Sequence, residues 1–196
     1  MKHNKQYTTS HFIGIKLKAS PFVPLFVDLQ TYLFKNDISS IIQLANIHSL
    51  HVSLYYLEKK LTPNEREMIP KTIQKISQGK INRHLSLNKL SFFKDATSDI
   101  LAYLTTKEDG LLTEINESLR ITYRRDDIVD NSYNFIPHIT LFKVLKSHSF
   151  SRHKNDITSI INKFIDKFSN LNLYKRPCLF EVCSKFYPEI EISLPE

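Results

Sequence analysis

Leu50-His51-Val52-Ser53-Leu54-Tyr55-Tyr56-Leu57 reads as a β-strand, and Pro137-His138-Ile139-Thr140-Leu141-Phe142-Lys143-Val144 repeats its motif 87 residues after His51. Side chains alternate faces along a strand, so His51 projects with Ser53 while Val52 and Leu54 turn toward a core. His138 and Thr140 stand in the same relation to Ile139 and Leu141. One more alternation adds Tyr55 and Phe142 to the two motif faces. Each half offers an imidazole and a hydroxyl; two halves facing each other offer two groups for proton transfer and two donors for an anion.

The residues around these strands supply the rest of the fold. From His11 to Lys18 the chain alternates His11/Ile13/Ile15/Leu17 against Phe12/Gly14/Lys16/Lys18, a period of two that predicts a strand. Phe22, Leu25, Phe26, Leu29, Leu33 and Phe34 recur at helical steps and predict a helix from Pro21 to about Asn36. Thr62-Pro63-Asn64-Glu65 predicts the start of a second helix: Thr62 as N-cap, Pro63 at the first helical position, Glu65 closing a capping box. Gly79 is its natural stop.

Residues 80–93 and 99–106 read as a hairpin around the polar turn at 94–98. Leu111 to Leu119 and Asn155 to Phe168 have helical spacing, and residues 124–132 read as a loop with modest strand potential. Leu179 to Phe186 and Ile190 to Leu194 close the chain as strands. The order strand, helix, motif strand, helix occurs twice in loose form, with no low-complexity linker between the halves. These elements predict a single α+β domain over residues 1–196, with two pseudo-symmetric lobes whose sheets meet at a shared groove.

Composition bounds the function. The chain has 196 residues, enough to bury a substantial core, and its 41% hydrophobic content with 13 Phe and 9 Tyr argues against disorder. A formal net charge of +7 favours an anionic partner. Lys59-Lys60, Arg124-Arg125 and Lys143/Lys146 concentrate that charge, the first and last just beyond the motifs. Cys178 and Cys183 are too few for a disulfide framework, and their spacing puts them on opposite faces of a strand, which favours a reduced cytoplasmic setting. No stretch has the apolar length of a membrane span, and the N-terminus lacks the apolar run of a signal peptide. Neither an HExxH pattern nor a glycine-rich phosphate loop occurs among 8 His and 3 Gly, so no metal and no cofactor are expected.

A histidine followed two residues later by Ser or Thr is cheap on its own, and His84-Leu85-Ser86 is a third match. It opens a strand beside Lys80 and Arg83, where an exposed edge histidine accounts for it. The other two lie inside apolar strands at equivalent places in the two halves. For a phosphodiester, a neutral imidazole takes a proton from a hydroxyl or water, and a protonated one gives a proton to the leaving oxygen. Ser53 and Thr140 donate to the non-bridging oxygens, whose charge grows in the transition state.

At this level of detail the chain resembles the 2H phosphoesterase superfamily, whose signature is two His-x-Ser/Thr-hydrophobic motifs about eighty residues apart. Phe135-Ile136-Pro137-His138-Ile139-Thr140-Leu141 is close to the second motif of its bacterial RNA-ligase-like branch, Ser49 to Leu54 fits the first, and Leu87 to Phe93 resembles the strand between them. The chain departs from that branch at Ser10-His11, where an arginine is usual. The resemblance implies a bilobal fold with antiparallel sheets lining a central groove and helices outside. It also implies a metal-independent phosphodiesterase acting on 2′,3′-cyclic phosphates, 2′,5′-linked oligonucleotides or related RNA ends. Carried over, His51 and His138 are acid and base, and Ser53 and Thr140 bind phosphate. Tyr55, Phe142, Tyr133, Phe12 and Lys143 are expected at the substrate. The resemblance implies RNA, an oligonucleotide or a cyclic nucleotide as partner, and a monomer is expected. A non-catalytic RNA-end binder and an RNA ligase running the reverse transesterification are the alternatives.

Overall fold

The computed structural model describes residues 11–57, 61–77, 85–94, 100–107, 110–123, 135–168, 170–171, 177–181 and 190–192. Its elements run β1 (His11–Lys16), α1 (Val23–Lys35), β2 (Ile42–Leu44), β3 (His51–Leu57), α2 (Pro63–Ser77), β4 (Leu85–Lys94), β5 (Ile100–Lys107) and α3 (Leu111–Tyr123). There follow β6 (His138–Val144), α4 (Ser147–Lys167), β7 (Asn170–Leu171), β8 (Cys178–Glu181) and β9 (Ile190–Ile192). His84, Tyr133, Lys59, Lys60, Arg124, Arg125, Gly79 and Cys183, named above from the sequence, lie outside the described residues.

The strands join in the order β7-β4-β5-β6-β3-β1-β8-β9, with β2 also pairing β6, and every described pairing is antiparallel. One half is β3, β1, β8 and β9; the other is β6, β5, β4 and β7. They meet where the motif strands pair, at Val52 opposite Ile139. The antiparallel sheet with helices packed on it is the α+β architecture expected from the sequence. Helix α3 packs on β3 and α2 on α3 and β8, while α4 packs on β4 and α1 on α4. Each half is therefore backed by a helix pair, which leaves the motif histidines on the other face.

Local chemistry explains the elements. The Thr62 backbone N–H donates to Glu65 Oε2 (2.9 Å) and the Glu65 N–H to Thr62 Oγ1 (3.3 Å), so the predicted capping box opens α2. Helix α4 begins at Ser147, eight residues before the apolar repeat becomes legible at Asn155. Its first two turns present one apolar anchor, Phe150, which packs on Phe92 and Phe142. One large apolar side chain in eight is too sparse to register as periodicity. The core is continuous across both halves, from Ile13, Ile15 and Leu17 of the first strand region to Ile157 and Ile161 of α4.

Candidate active site

Because β3 and β6 run antiparallel through Val52 and Ile139, His51 lies on the side of Thr140 and Ser53 on the side of His138. Val52 and Ile139 point into the core. All four motif side chains consequently share the opposite face.

Both imidazoles are held in the same way. His51 Nδ1 lies 2.8 Å from the Ser49 carbonyl oxygen, and His138 Nδ1 lies 2.8 Å from that of Ile136. A carbonyl only accepts, so Nδ1 carries the hydrogen in each ring and Nε2 is the nitrogen whose protonation can change. The two carbonyls are set by different local devices. A 3-10 turn at Ile47–Ser49, capped where Asn46 Oδ1 accepts from the His48 N–H (2.9 Å), presents Ser49. Ile136 precedes Pro137, and the proline ring restricts it to extended backbone.

Each ring also has an aromatic wall. Phe12 lies 4.6 Å from the His51 ring centroid and stacks on Phe180 at 4.9 Å. The other wall stands edge-on to His138, with Tyr103 at 5.0 Å and Phe93 at 5.7 Å. Phe180, Phe93 and Tyr103 were not singled out in the sequence; they arrive from strands distant from the motifs along the chain. Gly14 makes the first wall possible, because a Cβ there would meet the Phe12 ring at 2.8 Å and the Val52 carbonyl oxygen at 2.9 Å. Phe12 is only 1% exposed, so it supports His51 rather than offering a ring face to a substrate.

The strand alternation that placed Tyr55 and Phe142 fails one residue after each motif. On β3, Gly14 pairs Ser53 and Ile13 pairs Tyr55, so Leu54 is a bulge; on β6, Tyr103 pairs Thr140 and Ala102 pairs Phe142, so Leu141 is a bulge. A bulge inserts one residue and inverts the facing of everything after it. Tyr55 thus turns to the helix side, where its hydroxyl donates to the Tyr123 carbonyl of α3 (3.1 Å). Phe142 is buried at 1% exposure against Phe150 of α4. Neither of these expected substrate contacts lies on the motif face.

In their place come Tyr56, opposite Phe12, and Lys143, opposite Leu101. Lys143 was expected at the substrate from its charge, and the bulge carries it to that face. Lys16, the cross-strand partner of His51, is a further cation on the same face. Lys146 instead donates to Ser40 Oγ (3.0 Å).

Each bulged carbonyl accepts from a segment other than the strand it slips against. Asn116 Nδ2 of α3 donates to the Leu54 carbonyl, and the Ala45 N–H donates to that of Leu141 (2.8 Å). Asn116 falls on the apolar face of α3 with Leu112, Ile115 and Leu119, a position where a polar residue in the sequence signals a buried partner.

Burial holds the His138 pKa below its ordinary value of 6.5; the Ile136 carbonyl opposes this and the nearby His51 charge reinforces it. The His138 imidazole is therefore neutral at neutral pH. Among the described residues no group of three or more His, Cys, Asp or Glu side chains is placed to hold a metal ion. No helix there is long and apolar enough to cross a membrane.

Residues 9–180 match the model of the AKAP7 2′5′ RNA ligase-like domain. The chain belongs to this family. It is thereby a member of the 2H phosphoesterase superfamily. Among solved structures, Usb1 of Kluyveromyces marxianus is 14% identical, with a TM-score of 0.53 over 95% of this chain and 98% of that one. A conserved protein of unknown function from Agrobacterium tumefaciens reaches a TM-score of 0.55 at 10% identity, over 93% and 84%. The Kluyveromyces marxianus Usb1 structure with uridine monophosphate has a TM-score of 0.52 at 15% identity, over 96% and 99%. At these identities the likeness is one of fold. No curated protein sequence matches this chain.

Proposed function

We propose that this chain is a metal-independent phosphodiesterase acting on RNA ends or oligonucleotides with a 2′,3′-cyclic phosphate or a 2′,5′ linkage. One observation carries the reading: two imidazoles on one sheet face, each with Nδ1 anchored at 2.8 Å to the carbonyl two residues before it. Anchoring in this manner fixes ring orientation and directs proton transfer to Nε2. His138, disfavoured as an imidazolium, takes the proton of the attacking hydroxyl or water, and His51 protonates the leaving oxygen. Ser53 and Thr140 hold the non-bridging oxygens, and Lys143 and Lys16 balance their charge. Each proton transfer contributes about 10²–10⁴-fold. Membership of an RNA ligase-like family and the nucleotide held by one structural relative support a nucleotide substrate.

The test is a panel of 2′,3′-cyclic, 2′,5′-linked and 3′,5′-linked substrates assayed in EDTA, with product ends identified. Cleavage of at least one, abolished in His51→Ala and in His138→Ala, is expected. No turnover, or full activity in either variant, refutes the proposal. Joined ends in place of cleaved ones identify a ligase.

A further inference from the structure

Tyr56 is brought to the motif face by the Leu54 bulge, and its hydroxyl lies 2.9 Å from Ser53 Oγ. We propose that Tyr56 is a positioning residue that sets the Ser53 hydroxyl as a donor to the substrate phosphate; the inference rests on the phosphodiesterase reading above and names a residue outside the paired motifs.

A phenol is a stronger acid than an aliphatic hydroxyl, so the tyrosine donates and the serine oxygen accepts. Ser53 has one proton and two lone pairs. With one lone pair engaged by Tyr56, its O–H rotates only among the remaining directions, and accepting one hydrogen bond polarises the O–H for donating another. The hydroxyl is thus preset before the phosphate arrives, which is what electrostatic preorganisation requires.

Placement supports this role. Tyr56 is 44% exposed, with its ring 6.0 Å from that of Phe12, so it stands at the open side of the sheet and not in the core. The equivalent position after the second bulge is Lys143, a charged donor. Two half-sites alike in backbone therefore differ in chemistry. One presents a serine oriented by a neutral phenol; the other carries a threonine and, three residues on, a lysine on the same face. The phosphate consequently meets a polar asymmetry along the groove.

The experiment is a double-mutant cycle on the full chain with Tyr56→Phe, Ser53→Ala and the pair. It is read in kcat and KM on the cleaved substrate and in Kd for inorganic phosphate. Tyr56→Phe is expected to lower kcat about tenfold, the loss for one neutral hydrogen bond felt in the transition state, with KM and the urea midpoint nearly unchanged. In the Ser53→Ala background the same change is expected to be silent, because Tyr56 acts through the serine. Tyr55→Phe, which removes a hydroxyl on the helix side, serves as the control and is expected to keep wild-type kcat. Wild-type kcat in Tyr56→Phe, or losses that simply add in the double variant, overturn the inference while the enzyme reading stands. An inert wild type refutes the enzyme reading, and the cycle on phosphate Kd then decides the inference: coupling supports it, and additivity or absence of phosphate binding overturns it.

Discussion

Asn116→Ala tests whether the Leu54 bulge is held from outside the sheet. The Asn116 side chain is 3% exposed and donates to a carbonyl that belongs to the residue β1 leaves unpaired. Truncation leaves that buried acceptor without its donor, at a cost of about 1–3 kcal/mol. The lost packing of the amide places the total in the upper part of that range, about 2–3 kcal/mol. For a domain of this size each kcal/mol shifts Tm by roughly 2–4 °C, so a fall of about 4–12 °C is expected in a thermal melt followed by circular dichroism. Asn116→Asp is the sharper variant. It preserves shape but sets a carboxylate against a carbonyl, two acceptors with no proton between them, and should melt below Asn116→Ala at neutral pH. Both variants should also lose activity, since a relaxed bulge turns Tyr56 away from Ser53. A melt within 1 °C of wild type for Asn116→Ala, or an Asp variant as stable as wild type, would refute the reasoning.

Two further outcomes follow from the same geometry. His138 has a lowered pKa, so its neutral form is favoured in the folded state: the stability it contributes is present above pH 6.5 and is lost as pH falls toward its folded value. The acid limb of the kcat/KM profile should accordingly lie below pH 6.5, and an acid limb above it contradicts the assignment of His138 as base. Gly14→Ala forces a Cβ against the Phe12 ring and the Val52 carbonyl, displacing the wall behind His51; overpacking of this kind costs about 1–3 kcal/mol. Urea unfolding should show that loss together with reduced kcat, and an unchanged midpoint argues against the tight approach.

The paired motifs were legible in the sequence because strand alternation is a local property wherever the ladder is regular: His51 with Ser53, and His138 with Thr140, share a face because neither register shift falls inside a motif. The capping box at Thr62 and Glu65 and the helices with dense apolar repeats were legible for the same reason. Tyr55 and Phe142 were misplaced because a bulge is a property of pairing. Leu54 becomes an extra residue only against Ile13 and Gly14, and Leu141 only against Ala102 and Tyr103, so neither strand announces it alone. The walls of the site, Phe180 beside His51 and Phe93 with Tyr103 beside His138, come from chain segments that meet the motifs only in the sheet. Sequence by itself determined which imidazoles and hydroxyls stand together. The tertiary structure alone decided which neighbours face them, because each register shift between strands reverses every side chain beyond it.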